Sequence, residues 1–284
     1  MLRLAVIAYP NIDPIAFSIG PFAVRWYALA YIAALIFAVW YGRRLVSDTS
    51  LWAERTPTAT PAQIDDAFIW LTLGVVLGGR IGYVLFYQPG YYLQHPVEAL
   101  YLWHGGMSFH GGALGVTLAI LLFTRARGLV VLAFSDVIAE AIPIGLFFGR
   151  IANFINGELF GRETDVPWAM AFPNGGPVPR HPSQLYEAVC EGLLLFLLLL
   201  LAEHRGARRR PGIVTGLFLV GYAVARMSGE LFRQPDAQLG FLVLGTTMGQ
   251  LLSIPVLIAG ILLIWWARRQ PASTAAPQHR AAAR

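Results

Sequence analysis

Lysine is absent from this chain of 284 residues, cysteine occurs once, and only 13% of the residues are charged. The lone thiol, Cys190, excludes an internal disulfide, and no CxxC or Cys/His spacing offers a zinc site. Soluble domains carry about 25% charged residues. A share of 13%, with 56% hydrophobic residues and a mean hydropathy of +0.57, excludes a water-soluble enzyme. All 21 basic residues are arginine, whose guanidinium stays protonated wherever it is buried. The formal charge of +5 would suit nucleic acid, but arginines scattered between long apolar runs fit the loops of a membrane protein, and no nucleic-acid partner is expected. The opening stretch, MLRLAVIAYPNIDPIAFSIG, is broken by Pro10 and Pro14 and makes a poor signal-peptide core. The first long apolar segment therefore reads as a retained anchor.

What is abundant is apolar sequence in long runs. A helix needs about 20 mostly apolar residues to cross a bilayer. Seven segments qualify, at roughly 22–41, 67–87, 108–124, 136–156, 184–202, 212–230 and 245–267. The expected fold is an all-α integral membrane protein, a polytopic bundle of about seven transmembrane helices. Cytoplasmic loops are enriched in arginine. One alternating set of connections holds Arg43, Arg44, Arg55, Arg125, Arg127, Arg205, Arg208, Arg209, Arg210, Arg268, Arg269, Arg280 and Arg284, the other only Arg3, Arg162, Arg180 and Arg233. The N-terminus is thus expected outside and the C-terminus in the cytoplasm. Close helix contacts are expected where small residues recur, at Gly74, Gly78 and Gly82, at Gly111 and Gly115, and at Gly212 and Gly216. The Pro- and Gly-rich loop 162–183 reads as a lid or a connector.

An ionisable residue inside a span costs about 2.5–3.5 kcal/mol on insertion scales, so each needs a partner, a wet cavity or a function. Arg25, Arg80, Arg150 and Arg226 fall inside the apolar segments. At about 1.5 Å per residue, Arg150 and Arg226 each lie about 21 Å above the cytoplasmic ends of their helices, in the outer half. Tyr27, His110, Asn153, Asn156, Glu158, Glu187 and Glu230 fall at a similar level. For Arg25 and Arg80, anchoring to headgroups and tying down loops is an equal reading. Arg150, Asn153 and Asn156 instead make a polar stripe at i, i+3 and i+6, and Arg226 with Glu230 makes an i, i+4 pair that holds a fixed cation. Two guanidiniums at one depth suit a phosphate, and the phosphate available there is a phospholipid headgroup. His110, followed by Gly111 and Gly112, is a candidate base, while Cys190 reads as packing.

The run GRIANFINGELFGR, from Gly149 to Arg162, closely resembles the signature of the bacterial prolipoprotein diacylglyceryl transferase family. VRWYALAY around Tyr27, GGMSFHGGALG around His110, HPSQLYEA from His181 and ARMSGELFRQPD from Ala225 are similar to that family in the same order, so the resemblance runs from Ile19 to Trp266. Ala113 and Met227 depart from its common leucine and aromatic residue without removing a polar group. The resemblance implies transfer of the diacylglyceryl group of phosphatidylglycerol to the lipobox cysteine thiol of a preprolipoprotein signal peptide, leaving a thioether and glycerol 1-phosphate. It implies an enzyme of the bacterial inner membrane, working without metal or cofactor near the periplasmic side. Residues 1–268 would be one transmembrane catalytic domain and 269–284 a disordered cytoplasmic tail.

Carried onto this sequence, the family's important positions are Tyr27, His110, Arg150, Asn153, Glu158, Gly161, Arg226 and Glu230. His110, Arg150 and Arg226 are expected to be catalytic, and Tyr27, Asn153, Glu158, Gly161 and Glu230 to bind substrate. Three other readings remain at this point: a lipid or anion transporter using the arginines as cargo site, a structural subunit anchored by them, and a phospholipase acting on the same lipid with water.

Overall fold

The computed structural model describes residues 7–52, 56–235 and 240–271. Arg3, Arg55, Arg280, Arg284 and nearly all of the expected tail lie outside the described residues. The elements, in order, are β1 (Ile7–Ala8), β2 (Ile15–Ile19), β3 (Phe22–Arg25), α1 (Trp26–Ser47), α2 (Pro61–Phe86), α3 (Pro89–Gln94), α4 (Phe109–Arg127), α5 (Val131–Ile155), β4 (Met170–Ala171), α6 (Ser183–His204), α7 (Ile213–Gly229) and α8 (Met248–Arg269). Each apolar segment read from the sequence coincides with a helix, and the helices overrun it at ends where polar residues follow, as at Gly42, Arg43 and Arg44.

The start of the first segment is different. Residues 22–25 are a strand, paired antiparallel with β2 across a turn at Gly20 and Pro21. The alternating sequence IAFSI and the turn residues explain it, since a period of two does not continue a helix. Arg25 therefore precedes α1 and pairs with Ile15.

Among the described residues five helices, α1, α2, α5, α6 and α8, are long and apolar enough to cross a membrane; α7 is apolar but has 17 residues. Leu73, Leu77, Ile81 and Leu85, every fourth residue of α2, are each more than half exposed. A water-soluble protein would not leave such a stripe uncovered. The protein is a helical membrane protein.

Contacts divide the described residues into two compact units, those within 7–41 and 136–271, and those within 42–135. In the second unit α2 lies against α4 glycine to glycine. A Cβ on Gly82 would meet the Gly111 Cα at 2.8 Å, and one on Gly115 would overlap the Gly74 carbonyl oxygen. Arg80 is buried there and donates to four backbone oxygens, Glu98 at 2.7 Å, Ala99 at 2.7 Å, Gly105 at 2.5 Å and Gly106 at 3.2 Å. Its task is to tie down the loop before α4. His110 is the second residue of α4, after the N-cap Ser108, and is exposed.

In the first unit α7 packs on α8 at Gly216, whose Cβ would stand 2.6 Å from Ile264. Gly212, expected in the same packing stripe, instead caps α7 with φ +96°, a backbone state that suits glycine. The Asp136 carboxylate accepts from the Gly212 and Thr215 amides at 2.8 and 2.7 Å, completing that cap.

Arg208, counted above among loop charges, is also buried. It pairs with Glu140 and, at 2.8 Å, with Glu203, while the Tyr41 hydroxyl donates to Glu140 at 2.8 Å. Removing one partner of such a buried network costs about 3–5 kcal/mol, because the others keep uncompensated charge. Arg208→Met is expected to lower the thermal unfolding midpoint in detergent by about 10 °C, while the protein that folds keeps its parental turnover. An unchanged midpoint would show that the cluster carries no such energy.

Candidate active site

All of the site described here lies in the first unit. Helix α5 ends at Ile155, where the Tyr9 hydroxyl donates to the carbonyls of Phe154 and Ile155 at 2.5 and 2.7 Å. Burial pushes the Tyr9 phenol above its ordinary pKa, so it stays a donor. Gly157, at φ +64°, then turns the chain back so that Glu158 faces Asn153. The Asn153 amide donates to Glu158 Oε1 at 2.8 Å and to the Tyr27 hydroxyl at 3.0 Å. Tyr27 and two residues of the run 149–162 thus form one hydrogen-bonded trio.

The segment after Glu158 is strained and braced. Leu159 has φ +56°, a left-handed state costing a leucine about 1–3 kcal/mol. Buried side chains at the start of α6 hold it: Gln184 Nε2 donates to the Glu158 carbonyl at 2.6 Å, and Ser183 Oγ to that of Leu159 at 3.0 Å. Gly161 is wedged between two passing chains, donating its amide to the His181 carbonyl at 2.9 Å. Arg162 donates through Nε to the Arg233 carbonyl and through Nη2 to that of Glu230, both at 3.0 Å. The loop 162–183 is cross-braced by bridges Glu163 to Arg180 and Met170 to Arg180, and β4 pairs with β1. His181 packs on Phe232 at 5.2 Å, and burial lowers its pKa from the ordinary value, keeping it neutral.

Arg150 and Arg226 converge on shared carboxylates, as an ion network built from α5, α6 and the end of α7. Arg150 places Nε and Nη2 on Glu191 Oε2 at 3.1 and 2.8 Å, and Nη1 stands 3.0 Å from Glu187 Oε2. Arg226 Nη1 donates to Glu187 Oε1 at 2.9 Å, and Nη2 pairs with Glu230 Oε1 at 2.5 Å. Arg233 completes the group, 3.7 Å from Glu187 and 3.9 Å from Glu230. Three guanidiniums face three carboxylates, and the network is neutral overall.

The two kinds of charge are unequally buried. Side chains of Arg150 and Arg226 keep 14% and 15% exposure, whereas those of Glu187 and Glu191 have none. An approaching anion therefore meets cations first, backed by sealed carboxylates that fix their orientation. Among the described residues no three His, Cys, Asp or Glu side chains gather as a metal site.

Sequence reasoning missed Glu191 and Arg233 and gave Glu187 no role. The signal was available. Glu187 and Glu191 sit four apart in an apolar helix, where the insertion cost that singled out the arginines applies equally. Between Ala188 and Leu194 the helix widens into a π turn, a feature frequent at functional sites. Gly192 lets it press on Phe147, where a Cβ would meet the Phe147 Cβ at 2.6 Å. Gly249 at the start of α8 similarly makes room for the Arg226–Glu230 pair, since a Cβ there would stand 2.6 Å from Glu230 Oε1. His110 belongs to the other compact unit.

The model of the prolipoprotein diacylglyceryl transferase family matches residues 14–266. Three proteins named phosphatidylglycerol–prolipoprotein diacylglyceryl transferase are similar over nearly the whole chain. That of Methylocella silvestris is 56% identical over 267 residues, covering 94% of this chain and 98% of its own length. That of Paramagnetospirillum magneticum is 58% identical over 272 residues, covering 95% and 98%. That of Brucella anthropi is 52% identical over 277 residues, covering 97% and 99%.

Proposed function

Because the chain belongs to the prolipoprotein diacylglyceryl transferase family, we propose that its paired arginines hold the phosphodiester of phosphatidylglycerol while a prolipoprotein thiol displaces it. It is a membrane transferase, moving a diacylglyceryl group from phosphatidylglycerol to a prolipoprotein. The observation that carries the mechanism is the meeting of Arg150 and Arg226 on one carboxylate, Glu187. It puts two planar donors within reach of a single phosphate.

In this mechanism the lipobox cysteine of the signal peptide supplies the sulfur. His110 takes the thiol proton, the sulfur bonds to the terminal glycerol carbon, and the carbon–oxygen bond to phosphorus breaks. The electron pair leaves on the phosphate oxygen of glycerol 1-phosphate, where Arg150 and Arg226 meet the developing charge. Glu230 orients Arg226, and the Tyr27–Asn153–Glu158 trio contacts the glycerol headgroup. Gly161 acts through close packing under the site rather than by touching lipid. No cofactor takes part. Helices α4 and α7 join the five longer apolar helices as spans of the inner membrane, seven in all, with the N-terminus and the site on the periplasmic side and the C-terminus in the cytoplasm. Residues 1–268 form the catalytic domain, and the tail 269–284 has no part in the chemistry.

Purified protein given phosphatidylglycerol and a lipobox peptide tests this. Thioether-linked peptide and glycerol 1-phosphate are expected in equal amounts. Free diacylglycerol would turn the reading to hydrolysis, and no product from either route would turn it to transport.

A further inference from the structure

From the charge count of this network we infer that binding of the lipid phosphodiester is coupled to uptake of one proton by Glu191. The inference rests on the phosphodiester reading and goes beyond it. Before ligand arrives, Arg150, Arg226 and Arg233 balance Glu187, Glu191 and Glu230. A phosphodiester adds one negative charge to a group whose carboxylates are sealed from solvent. To bind it, Arg150 and Arg226 must turn donors away from carboxylates that have no water to replace them. An unpaired buried charge is unfavourable, and a buried carboxyl relieves it by becoming neutral.

Geometry selects Glu191 over its neighbours. Glu187 faces Arg150 at 3.0 Å, Arg226 at 2.9 Å and Arg233 at 3.7 Å, so Arg233 stays beside it when the other two turn toward phosphate. Glu230 is held by Arg226 and Arg233. Glu191 relies on Arg150 through Oε2 alone, while its fully buried Oε1 makes no hydrogen bond and stands 3.9 Å from Arg226 Nη1. Once Arg150 engages phosphate, Glu191 loses its close partner. The titratable and charged groups around it are Arg150 on α5, Glu187 and Cys190 on its own helix, and Arg226 and Tyr222 on α7. A proton on Oε1 restores the neutrality of the network. Glu191 is thus a positioning residue that keeps Arg150 oriented in the empty site and releases it when lipid arrives.

The test is calorimetric titration of the detergent-solubilised full chain with dihexanoyl phosphatidylglycerol, without thiol acceptor. The phosphodiester of this lipid keeps one charge across neutral pH. Repeating the titration at pH 7 in buffers of different ionisation heat reads the protons taken up. About one per lipid is expected, with affinity falling by up to about tenfold per pH unit as pH rises, because the bound state holds the extra proton. Glu191→Gln should bind with uptake near zero and little pH dependence, whereas His110→Gln, which leaves the network's charge count alone, should retain the uptake. Binding by the parent protein without uptake would overturn the inference and leave the phosphodiester reading standing. No binding would remove both. Uptake that survives in Glu191→Gln, or is abolished by His110→Gln, would overturn the assignment to Glu191.

Discussion

Replacing Arg150 by lysine is expected to slow diacylglyceryl transfer about 10²–10³-fold, the size of effect seen when one preorganised donor to a developing anion is lost. The charge survives this substitution, so the loss must come from shape. Arg150 spreads three nitrogens over two carboxylates, Nε and Nη2 on Glu191 and Nη1 toward Glu187. An ammonium is a point charge on a flexible stem and cannot bridge both carboxylates while presenting paired donors to a phosphate. Arg150→Ala should go further, leaving two guanidiniums against three carboxylates. The site would then carry a net negative charge and repel the phosphodiester it has to hold. Initial rates of thioether formation, with lipid and peptide varied separately, check both variants. Undiminished turnover by Arg150→Lys would sink the bidentate clamp, and full activity of Arg150→Ala would remove Arg150 from the site.

The helices were legible because a membrane imposes a long apolar signature that few loops share, and the polar exceptions stood out against it. Arg150, Asn153, Glu158, Arg226 and Glu230 were all found by asking which ionisable or amide groups sat where they should be costly. That question identifies residues but not partners. Arg80 and Arg226 look alike in sequence, yet one ends on four loop carbonyls and the other on two glutamates. Partners come from helices far apart in the chain, and no local spacing encodes them. Arg208 shows the same gap from the other side, since a loop position in an arginine run looked solvated and proved buried against Glu140. Residues 22–25, read as the start of the first helix, differ for another reason. The strand residues there are as apolar as the helix that follows, and hydropathy alone does not separate the two. The identity of Gly161 as important came from resemblance, and its physical reason required coordinates.

That reason predicts that Gly161→Ala will cost about 3 kcal/mol, the upper end of what overpacking usually costs, and lower transfer about 10²-fold. A Cβ there would lie 2.6 Å from the His181 Cβ, 2.6 Å from the His181 carbonyl oxygen and 2.6 Å from the Phe232 carbonyl oxygen. Two of these are backbone atoms already engaged. The His181 carbonyl accepts from Gly161 itself, and the Phe232 carbonyl accepts from Arg162 at 2.8 Å. Relief can come only by pushing the Glu158–Arg162 segment off one of its neighbours. On one side that loosens Gln184 and Ser183 from the Glu158 and Leu159 carbonyls, and the strained Leu159 loses its support. On the other it withdraws Arg162 from the carbonyls of Glu230 and Arg233, whose side chains belong to the ion network. Either way a methyl group touching neither arginine displaces the groups that orient them. Gly149→Ala in the same motif adds its methyl where nothing lies within 4 Å and should leave the unfolding midpoint in place. Thermal unfolding and initial rates of the two variants, taken side by side, decide the matter: a Gly161→Ala protein with parental midpoint and rate would show that the wedge between His181 and Phe232 is slack.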